Sequence, residues 1–393
     1  MTTALVMLVI VVGAALCAVA LLLLLQSGAS LLRPRRLGAV PGGARYAILI
    51  PAHNETLVIE ETVQRALALM GPTGRILVVA DNCTDDTAAK ARAAGAEVAE
   101  RCAPLLRAKG YALAFGIDHL RQDPPEVVVT MDADCRCTRG TFELLARQAL
   151  FSGKPVQALY LMSAAPGAAL RIRIAAFAWA FKNAVRARGF ARMGLPCQLT
   201  GSGMAFPWRL VDQVSFASAS IVEDLQLGLR LAAAGHAPLL AGEVHVESEF
   251  PVSEAGERSQ RRRWEHGHLE TIARLGLPLA LAGLRQANGA LLALVADLVV
   301  PPLALFILAL AGYAALAVVL AGSGVSQGPL YLAAAASGAT GVAVLAGWWQ
   351  VGRRWIGLAE LASAPLYIVR KIPLYLGFIK GRQTAWTRTD RTP

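Results

Sequence analysis

Two aspartates with one small residue between them, Asp132 and Asp134, follow an apolar, β-branched stretch from Glu126 to Met131. Such a stretch is typical of a buried strand, and open α/β sheets bind their ligands at the carboxyl ends of strands. Side chains two positions apart project to the same side, so both carboxylates could hold one Mg²⁺ or Mn²⁺ that carries the phosphates of a nucleotide. Aspartates also form polar turns, and that interpretation stays open until the rest of the chain is considered.

Two cysteines beside the aspartates, Cys135 and Cys137, are the other candidate metal ligands of this stretch. A C-x-C pair can bind a soft metal, but no second Cys or His pair at zinc-finger spacing completes a zinc site. Reduced thiols in a cytosolic domain are the better interpretation.

The composition predicts a membrane protein. Of the 393 residues, 55% are hydrophobic and only 17% are charged, and the mean hydropathy is +0.48. This is too apolar for one ordinary soluble domain. The formal net charge of +11 suggests cytoplasmic flanks that lie against anionic membrane lipids. No nucleic-acid-binding signature accompanies the charge, so we expect no nucleic-acid partner.

The first long apolar run, Ala4 to Leu25, has 22 residues without a charge and can cross the hydrocarbon core as a helix. Arg33, Arg35 and Arg36 follow it directly. By the positive-inside rule, these arginines hold the next segment in the cytoplasm. We therefore expect a multi-pass protein of the inner (plasma) membrane with a cytoplasmic catalytic domain.

Two further spans are expected near the C-terminus. Gly289 to Leu320 can hold one span kinked at Pro301-Pro302, or a span and a separate broken helix. Leu330 to Trp349 is the next span, and Arg353 and Arg354 follow it on the cytoplasmic side. The predicted organisation is an N-terminal anchor (1–32), a cytoplasmic catalytic domain (45–270), an interfacial lead-in with about two spans (271–352) and a basic amphipathic segment (353–393).

Three segments flank or interrupt this organisation. Leu277 to Ala287 is predicted to be the interfacial lead-in, and Trp355 to Lys380 one amphipathic interfacial helix. Arg171 to Arg192 carries six basic residues and no acidic one. It is either a solvated, partly packed helix or a surface that rests on lipid head groups or a negatively charged acceptor.

Alternating strands and helices between the first two spans must position the aspartates. This alternation predicts a doubly wound, mostly parallel sheet. The predicted strands are Tyr46–Ile50, Arg75–Ala80, Ala96–Ala99, Glu126–Met131, Val156–Met162 and Glu243–Val246. The predicted helices are Glu55–Met70, Thr84–Ala94 with Thr84 as its N-cap, Lys109–Leu120, Thr138–Phe151 and Ile221–Ala234.

Five short motifs between residues 46 and 268 occur in a specific order. They are Ile50-Pro51-Ala52-His53-Asn54-Glu55, Asp81-Asn82-Cys83-Thr84-Asp85, Asp132-Ala133-Asp134, Glu223-Asp224 and Gln260-Arg261-Arg262-Arg263-Trp264. Together they resemble the inverting family 2 glycosyltransferases, in particular the membrane-bound branch with cellulose, chitin and hyaluronan synthases. The resemblance implies an α/β, Rossmann-like GT-A fold and a nucleotide-diphosphate sugar donor, with UDP expected and GDP as the alternative.

The resemblance also implies roles for individual residues. Asp224, with Glu223 beside it, matches the general base that deprotonates the acceptor hydroxyl. Asp134 is the expected ligand of Mg²⁺ or Mn²⁺, and Asp132 contacts the ribose or the metal. The residues expected at the donor nucleotide are Pro51, His53, Glu55, Asp81, Lys109, Asp132, Gln260 and Arg263. Those expected at the acceptor are Trp264, Gly201, Ser202 and Gly203.

Structural interpretations of the same residues stay open. Glu223 and Asp224 also suit a helix N-terminus. Lys109 is nearly as well explained as a solvated helix lysine, and Arg261 and Arg262 as part of a basic segment at the membrane.

Three spans are too few for a polymer channel in one chain, so we expect single-sugar transfer to a lipid, lipid-linked or polysaccharide acceptor. The alternatives are a processive polysaccharide synthase for a cell-envelope polymer and a catalytically inactive membrane scaffold. The sequence gives no oligomeric state.

Overall fold

The structure is a computed structural model that describes residues 2–33, 43–251 and 254–380. The chain forms two compact units. The helical unit comprises Met1–Arg33, Ala164–Met193 and Leu298–Arg382, as far as these are described. The sheet unit comprises the described parts of Pro34–Ser163 and Gly194–Asp297.

Eight strands and sixteen α-helices are assigned in the described residues. The strands are β1 (Tyr46–Ala52), β2 (Gly74–Asp81), β3 (Glu97–Arg101), β4 (Val127–Thr130), β5 (Arg136–Cys137), β6 (Val156–Ser163), β7 (Met204–Pro207) and β8 (Leu239–Glu249). The helices are α1 (Thr2–Ala29), α2 (Ile59–Leu69), α3 (Thr87–Ala93), α4 (Lys109–Leu120), α5 (Thr141–Ser152), α6 (Leu170–Ala180), α7 (Ala187–Arg192), α8 (Trp208–Val211), α9 (Glu223–Ala233), α10 (Glu254–Arg285), α11 (Gly289–Leu298), α12 (Leu303–Gly322), α13 (Gly328–Gln350), α14 (Leu358–Ala362), α15 (Ala364–Val369) and α16 (Ile372–Lys380).

The sheet unit is built on a mixed sheet with the strand order β3-β2-β1-β4-β7-β6-β8-β5. Strands β3, β2, β1 and β4 are parallel, as the sequence predicts. The other half of the sheet is mixed: β6 is parallel to β8, whereas β7 is antiparallel to β4 and β6, and β5 is antiparallel to β8. Strands β7 and β5 were not predicted because they have only four and two residues, respectively, and show no apolar alternation.

Strands β1, β2 and β4 have continuous apolar sequences because they lie in the buried centre of the sheet unit. Strands enclosed on both faces need no polar alternation. Helices α4 and α9 pack on one face, where Ile117 and Leu227 contact the same core as Leu77, Val128 and Phe206. This packing fixes the carboxyl ends of the parallel strands relative to α4 and α9.

The loop after β2 differs from the prediction that Thr84 caps the following helix. Helix α3 begins at Thr87, and the Asp85 carboxylate accepts the backbone N–H of Thr87 at 3.1 Å. The backbone N–H of Thr84 instead donates to Asn54 Oδ1 at 2.8 Å. The contact ties the loops after β1 and β2 together, and it takes Thr84 away from the helix N-terminus.

A second predicted boundary, at Leu277, also differs from the structure. The predicted lead-in from Leu277 is not a separate element, because α10 runs without a break from Glu254 to Arg285 and contains Pro278. The break falls at Ala287, which has a φ of 50°.

In the helical unit, three of the described helices are long and apolar enough to cross a membrane: Thr3–Ala29, Leu303–Gly322 and Gly328–Gln350. Residues 289–322 form a short helix, α11, which belongs to the sheet unit up to Asp297, and a separate span, α12, which begins after Pro301-Pro302. Ser30 Oγ donates to Gln350 Oε1 at 2.8 Å, so the C-terminal ends of α1 and α13 lie at the same level.

The segment after α13 is not the single amphipathic helix that we predicted. It contains three short helices, α14 to α16. Pro365 and Pro373 lie in the first turns of α15 and α16, where a missing N–H is tolerated and a preceding helix cannot continue. By contrast, α6, a π-helical segment (Phe181–Arg186) and α7 form one unbroken helical run.

Candidate active site

A cleft of about 150 Å³ opens at the carboxyl ends of β1, β2 and β4. Parallel strands end at the same edge of a sheet, so the loops that follow them converge there. Its lining comprises Pro51, Ala52, His53, Glu55, Asp81, Asn82, Arg107, Ala108, Lys109, Ala112, Asp132, Ala133, Asp134 and Arg263. Eight of the predicted site residues are therefore brought together, and Asn82 and Arg107 are lining residues that sequence reasoning missed.

The loop after β4 holds both aspartates toward this cleft. The ligand atoms of Asp132, Asp134 and Cys135 lie within 4.8 Å of one another. The backbone N–H of Asp132 donates to Ser202 Oγ at 3.1 Å, and Thr62 Oγ1 donates to the carbonyl of Ala133 at 2.6 Å. These two bonds fix the loop from both sides.

The donor set at this loop fits a hard divalent cation better than zinc. Asp132 and Asp134 are partly exposed and offer carboxylate oxygens, whereas Cys135 is buried. Burial and the negative charges of Asp134 and Asp132 hold the pKa of the Cys135 thiol well above its usual range. Mg²⁺ and Mn²⁺ prefer oxygen ligands, so the two carboxylates are the groups suited to either ion.

Lys109 lies among the acidic groups of the site. Its ammonium forms an ion pair with Asp132 and donates to the carbonyl of Gly201 at 2.7 Å. Burial lowers the pKa of Lys109, but the negative charges of Asp132, Glu223 and Asp224 outweigh burial and raise it. Lys109 is therefore a partly buried cation, 19% exposed, that pairs with Asp132 and is influenced by the charges of Glu223 and Asp224, which disfavours the solvated-lysine interpretation.

Gly201 brings the loop backbone close to Asp224 and Lys109. Its φ is +96°, and a Cβ at this position would lie 3.2 Å from Asp224 Oδ2 and 3.6 Å from Lys109 Nζ. Asp224 thus lies on the same side of this loop as the Lys109 ammonium. Burial and the charge of Asp224 raise the pKa of Glu223 to about 7, although Lys109 opposes the shift.

Asp81, at the end of β2, is held by a cation that the sequence did not reveal. Arg101 Nη1 donates to Asp81 Oδ1 at 2.5 Å, and both side chains are only 9% exposed. Asn82 Nδ2 donates to the same oxygen at 3.0 Å. Arg101 lies at the end of the neighbouring strand β3, twenty residues away in sequence, and no motif marks it.

Gly201, Ser202 and Gly203 do not line the cleft. Ser202 is fully buried, and its carbonyl accepts from Gln157 Nε2 at 2.8 Å. The N–H of Gly203 donates to the carbonyl of Thr130 at 2.9 Å. The structure thus puts Ser202 and Gly203 beneath the Asp132 loop, as support for its backbone, and their assignment to the acceptor stays a prediction.

The Gln260 to Trp264 motif lies on α10. Arg263 reaches the cleft, whereas Gln260 is buried and Trp264 is partly buried, and neither lines it. Positions three and four apart share a face of a helix, so all three can face the same neighbour. Their contacts with diphosphate and acceptor stay predictions.

Comparisons with known proteins identify the family of this chain. A family model described as "Glycosyltransferase like family 2" matches residues 41–267, more than half of the chain. No curated protein sequence matches the chain.

Two solved structures illustrate the structural similarity. A mannosyltransferase from Pyrobaculum calidifontis, solved in complex with GDP-Man and Mn²⁺, is 18% identical with a TM-score of 0.54, and the match covers 87% of this chain and 99% of that one. Glucosyl-3-phosphoglycerate synthase from Mycobacterium tuberculosis, solved with Mn²⁺, UDP and glucosyl-3-phosphoglycerate, is 20% identical with a TM-score of 0.38, and the match covers 57% of this chain and 80% of that one.

The predicted fold is confirmed as a Rossmann-like GT-A domain, with apolar helices near the N-terminus and in the C-terminal region. The family model matches more than half of the chain and gives the assignment. The chain is a glycosyltransferase and belongs to the glycosyltransferase-like family 2.

Proposed function

We propose that this glycosyltransferase moves a sugar from a nucleotide-diphosphate sugar to a lipid, lipid-linked or polysaccharide acceptor, with inversion at the anomeric carbon. One observation carries the proposal. The carboxylates of Asp132 and Asp134 share a cleft with the guanidinium of Arg263, and Lys109 connects Asp132 to the loop beside Asp224. The leaving diphosphate needs cationic groups, and the attacking acceptor hydroxyl needs a base.

The donor would occupy the cleft at the sheet edge. Asp134, with Asp132, would hold Mg²⁺ or Mn²⁺, which when bound stabilises the charge that develops on the leaving diphosphate. Arg263 and Arg107 line the cleft and suit the remaining phosphate oxygens. The base and ribose would lie toward Asp81, with Pro51, His53 and Glu55 beside it in the lining.

Asp224 is the proposed general base. The acceptor oxygen attacks the anomeric carbon while the bond from that carbon to the diphosphate oxygen breaks, and the diphosphate leaves with the bonding electrons. The hydroxyl proton passes to the Asp224 carboxylate. Glu223 lies beside Asp224 in the sequence, and burial together with the charge of Asp224 raises its pKa.

We further propose a membrane-anchored enzyme with its catalytic domain in the cytoplasm of the cell. The C-terminal ends of α1 and α13 lie at the same level, and arginines follow both: Arg33 after α1, and Arg353 and Arg354 after α13. By the positive-inside rule, that level is cytoplasmic. The described residues contain three candidate spans, which supports single-sugar transfer over polymer export.

The central experiment compares Asp224→Asn with wild type in purified full-length protein. UDP- and GDP-sugars are screened by nucleotide release, with membrane lipids as acceptor and mass spectrometry of the product. Loss of the base should lower turnover by about 10²- to 10⁴-fold, while donor binding in the presence of Mn²⁺ is retained. GDP-sugars are included because the mannosyltransferase neighbour was solved with GDP-Man.

Asp212→Asn is the matched control, because Asp212 forms an exposed ion pair with Arg121 and does not line the cleft. It should keep wild-type turnover. Retained turnover in Asp224→Asn would refute the base assignment. A ladder of polymer from wild type would favour the processive alternative, and an absence of nucleotide release with every donor would favour an inactive scaffold.

A further inference from the structure

We propose that Arg101 is a positioning residue that makes the donor site selective for uracil over guanine, through its contact with Asp81. The inference rests on the proposed function, in which the base of the donor nucleotide lies toward Asp81. Asp81 lines the cleft, whereas Arg101 lies outside its lining. Arg101 therefore acts through Asp81, and it changes the number of hydrogen bonds that the Asp81 carboxylate can accept from a base.

The two oxygens of the Asp81 carboxylate have different surroundings. Oδ1 accepts two hydrogen bonds, from Arg101 Nη1 at 2.5 Å and from Asn82 Nδ2 at 3.0 Å. A carboxylate oxygen has two lone pairs, so these two bonds saturate Oδ1. Within the residues that the structure describes, Oδ2 accepts no hydrogen bond. Asp81 therefore offers a ligand in the cleft one acceptor oxygen rather than two.

The Arg101 side chain is held in place by further contacts. Its Nη1 also donates to the carbonyl of Leu106 at 3.1 Å, so both N–H bonds of this nitrogen are used. Its guanidinium carbon lies 5.7 Å from the centroid of the Tyr111 ring, within the range of a cation–π contact. The side chains of Arg101 and Asp81 are each 9% exposed, and a charge-assisted hydrogen bond is stronger at such a buried position than in water. The donor to Oδ1 is therefore fixed before a nucleotide binds.

Asn82, the second donor to Oδ1, is also fixed. Its φ is 55° or less, at 51°, in the left-handed region that asparagine adopts more readily than most residues. Its backbone N–H donates to the carbonyl of Arg101 at 2.7 Å, and its Oδ1 accepts the backbone N–H of Ala103 at 2.7 Å. The contact with Ala103 orients the amide, so that Nδ2 faces Asp81. These bonds tie the loop after β2 to the end of β3, and neither donor can leave Asp81 without the loss of a second bond.

One free acceptor oxygen distinguishes the bases by their hydrogen-bonding edges. Uracil presents a single N–H, at N3, between two carbonyl groups, and one oxygen satisfies it. Guanine presents two neighbouring donors, N1–H and the N2 amino group, which pair best with both oxygens of a carboxylate. With Oδ1 saturated, guanine would keep one donor without a partner, and a buried donor without a partner is costly. Cytosine and adenine present an unprotonated ring nitrogen, which a carboxylate repels.

Binding of free nucleoside diphosphates to the purified full-length protein tests the inference without a sugar acceptor. UDP, GDP and CDP are titrated in the presence of Mn²⁺ by isothermal titration calorimetry. Wild type should bind UDP at least about tenfold more tightly than GDP or CDP, since a correctly paired base edge discriminates by about tenfold or more. CDP separates hydrogen bonding from size, because cytosine and uracil have rings of the same size.

Arg101→Met removes the donor to Oδ1 and keeps a long side chain. The freed lone pair allows guanine to pair with both oxygens, so GDP should bind more tightly than it does to wild type. The preference for UDP over GDP should fall by about tenfold or more. Arg101→Lys keeps a cationic donor and should retain most of the wild-type preference. A damaged fold would weaken the binding of both nucleotides, so the gain in GDP affinity separates selectivity from folding.

Arg92→Met is the matched control, because Arg92 forms an exposed ion pair with Glu100, the neighbour of Arg101 on β3. It should keep the wild-type preference. Equal binding of UDP and GDP by wild type, or an equal loss of both nucleotides in Arg101→Met, would overturn the role of Arg101 and leave the proposed function in place. If wild type bound none of the three nucleotides, the proposed function would be overturned, and this inference with it.

Discussion

Gly203→Ala tests whether the buried loop beneath Asp132 controls the geometry of the cleft. Gly203 has a φ of +69°, and a Cβ there would lie 2.6 Å from Val246 Cγ2 and 3.0 Å from Ala158 Cβ. Its neighbour Ser202 accepts the backbone N–H of Asp132. A methyl group at position 203 must therefore displace either β8 and β6 or the loop that supports Asp132.

The expected cost has two parts. The left-handed backbone conformation costs alanine about 1 kcal/mol relative to glycine. The two close contacts add about 2 kcal/mol, within the range for overpacking a buried site. The free energy of unfolding of the sheet unit should therefore fall by about 3 kcal/mol.

Gly235→Ala is the matched control. Gly235 has a similar φ, +88°, but a Cβ there has no neighbour within 4 Å. Both substitutions change the unfolded chain equally, so their difference isolates the contacts. For a domain of this size, about 2 kcal/mol corresponds to a midpoint about 4 to 8 °C lower for Gly203→Ala than for the control.

Thermal unfolding and turnover are measured together on the purified full-length variants. Because the Asp132 loop moves with Ser202, turnover of Gly203→Ala should fall about tenfold or more, while Gly235→Ala stays close to wild type. Equal midpoints in the two variants would show that the close packing does not constrain the loop. A lower midpoint with unchanged turnover would show that the loop does not control the geometry of the cleft.

Two further predictions concern the carboxylates. Asp134→Ala should raise the Mn²⁺ concentration needed for half-maximal donor binding by about tenfold or more, and a metal titration identical to that of Asp212→Asn would contradict the metal assignment. Glu223 has a pKa raised from 4.5 to about 7, so its contribution to stability is present below pH 4.5 and is lost as the pH rises through 7. Glu223→Gln should therefore raise the thermal midpoint at pH 8 but change it little at pH 5. An equal change at both pH values would show that ionisation of Glu223 is not linked to the stability of the fold.

The sequence predicted the parallel half of the sheet because its strands are continuous apolar runs between clear turns. It did not predict β7, although β7 lies between β4 and β6 at the centre of the sheet. Four residues carry too little periodicity for a prediction. The C-terminal segment was mistaken for one helix because its composition is amphipathic throughout, whereas Pro365 and Pro373 divide it.

For the candidate site, the spacing of the motifs indicated candidate residues, but it did not indicate which charged groups these residues contact. Arg101 was missed because its contact with Asp81 depends on the register of β2 and β3, in which Asp81 pairs with Arg101. Lys109 was left open between a solvated and a buried position, and only the approach of the Gly201 loop to α4 distinguishes the two.

The sequence by itself determined the order of the motifs, the apolar spans and the basic, acid-poor character of 171–192, because these are properties of local composition and spacing. Tertiary structure alone decided which charges meet. Asp132, Lys109, Glu223 and Asp224 come from a strand-end loop and two helices, and their electrostatic coupling exists only once α4 and α9 pack on the sheet. The reason is physical: the effect of one charge on another depends on distance and burial, and folding fixes both.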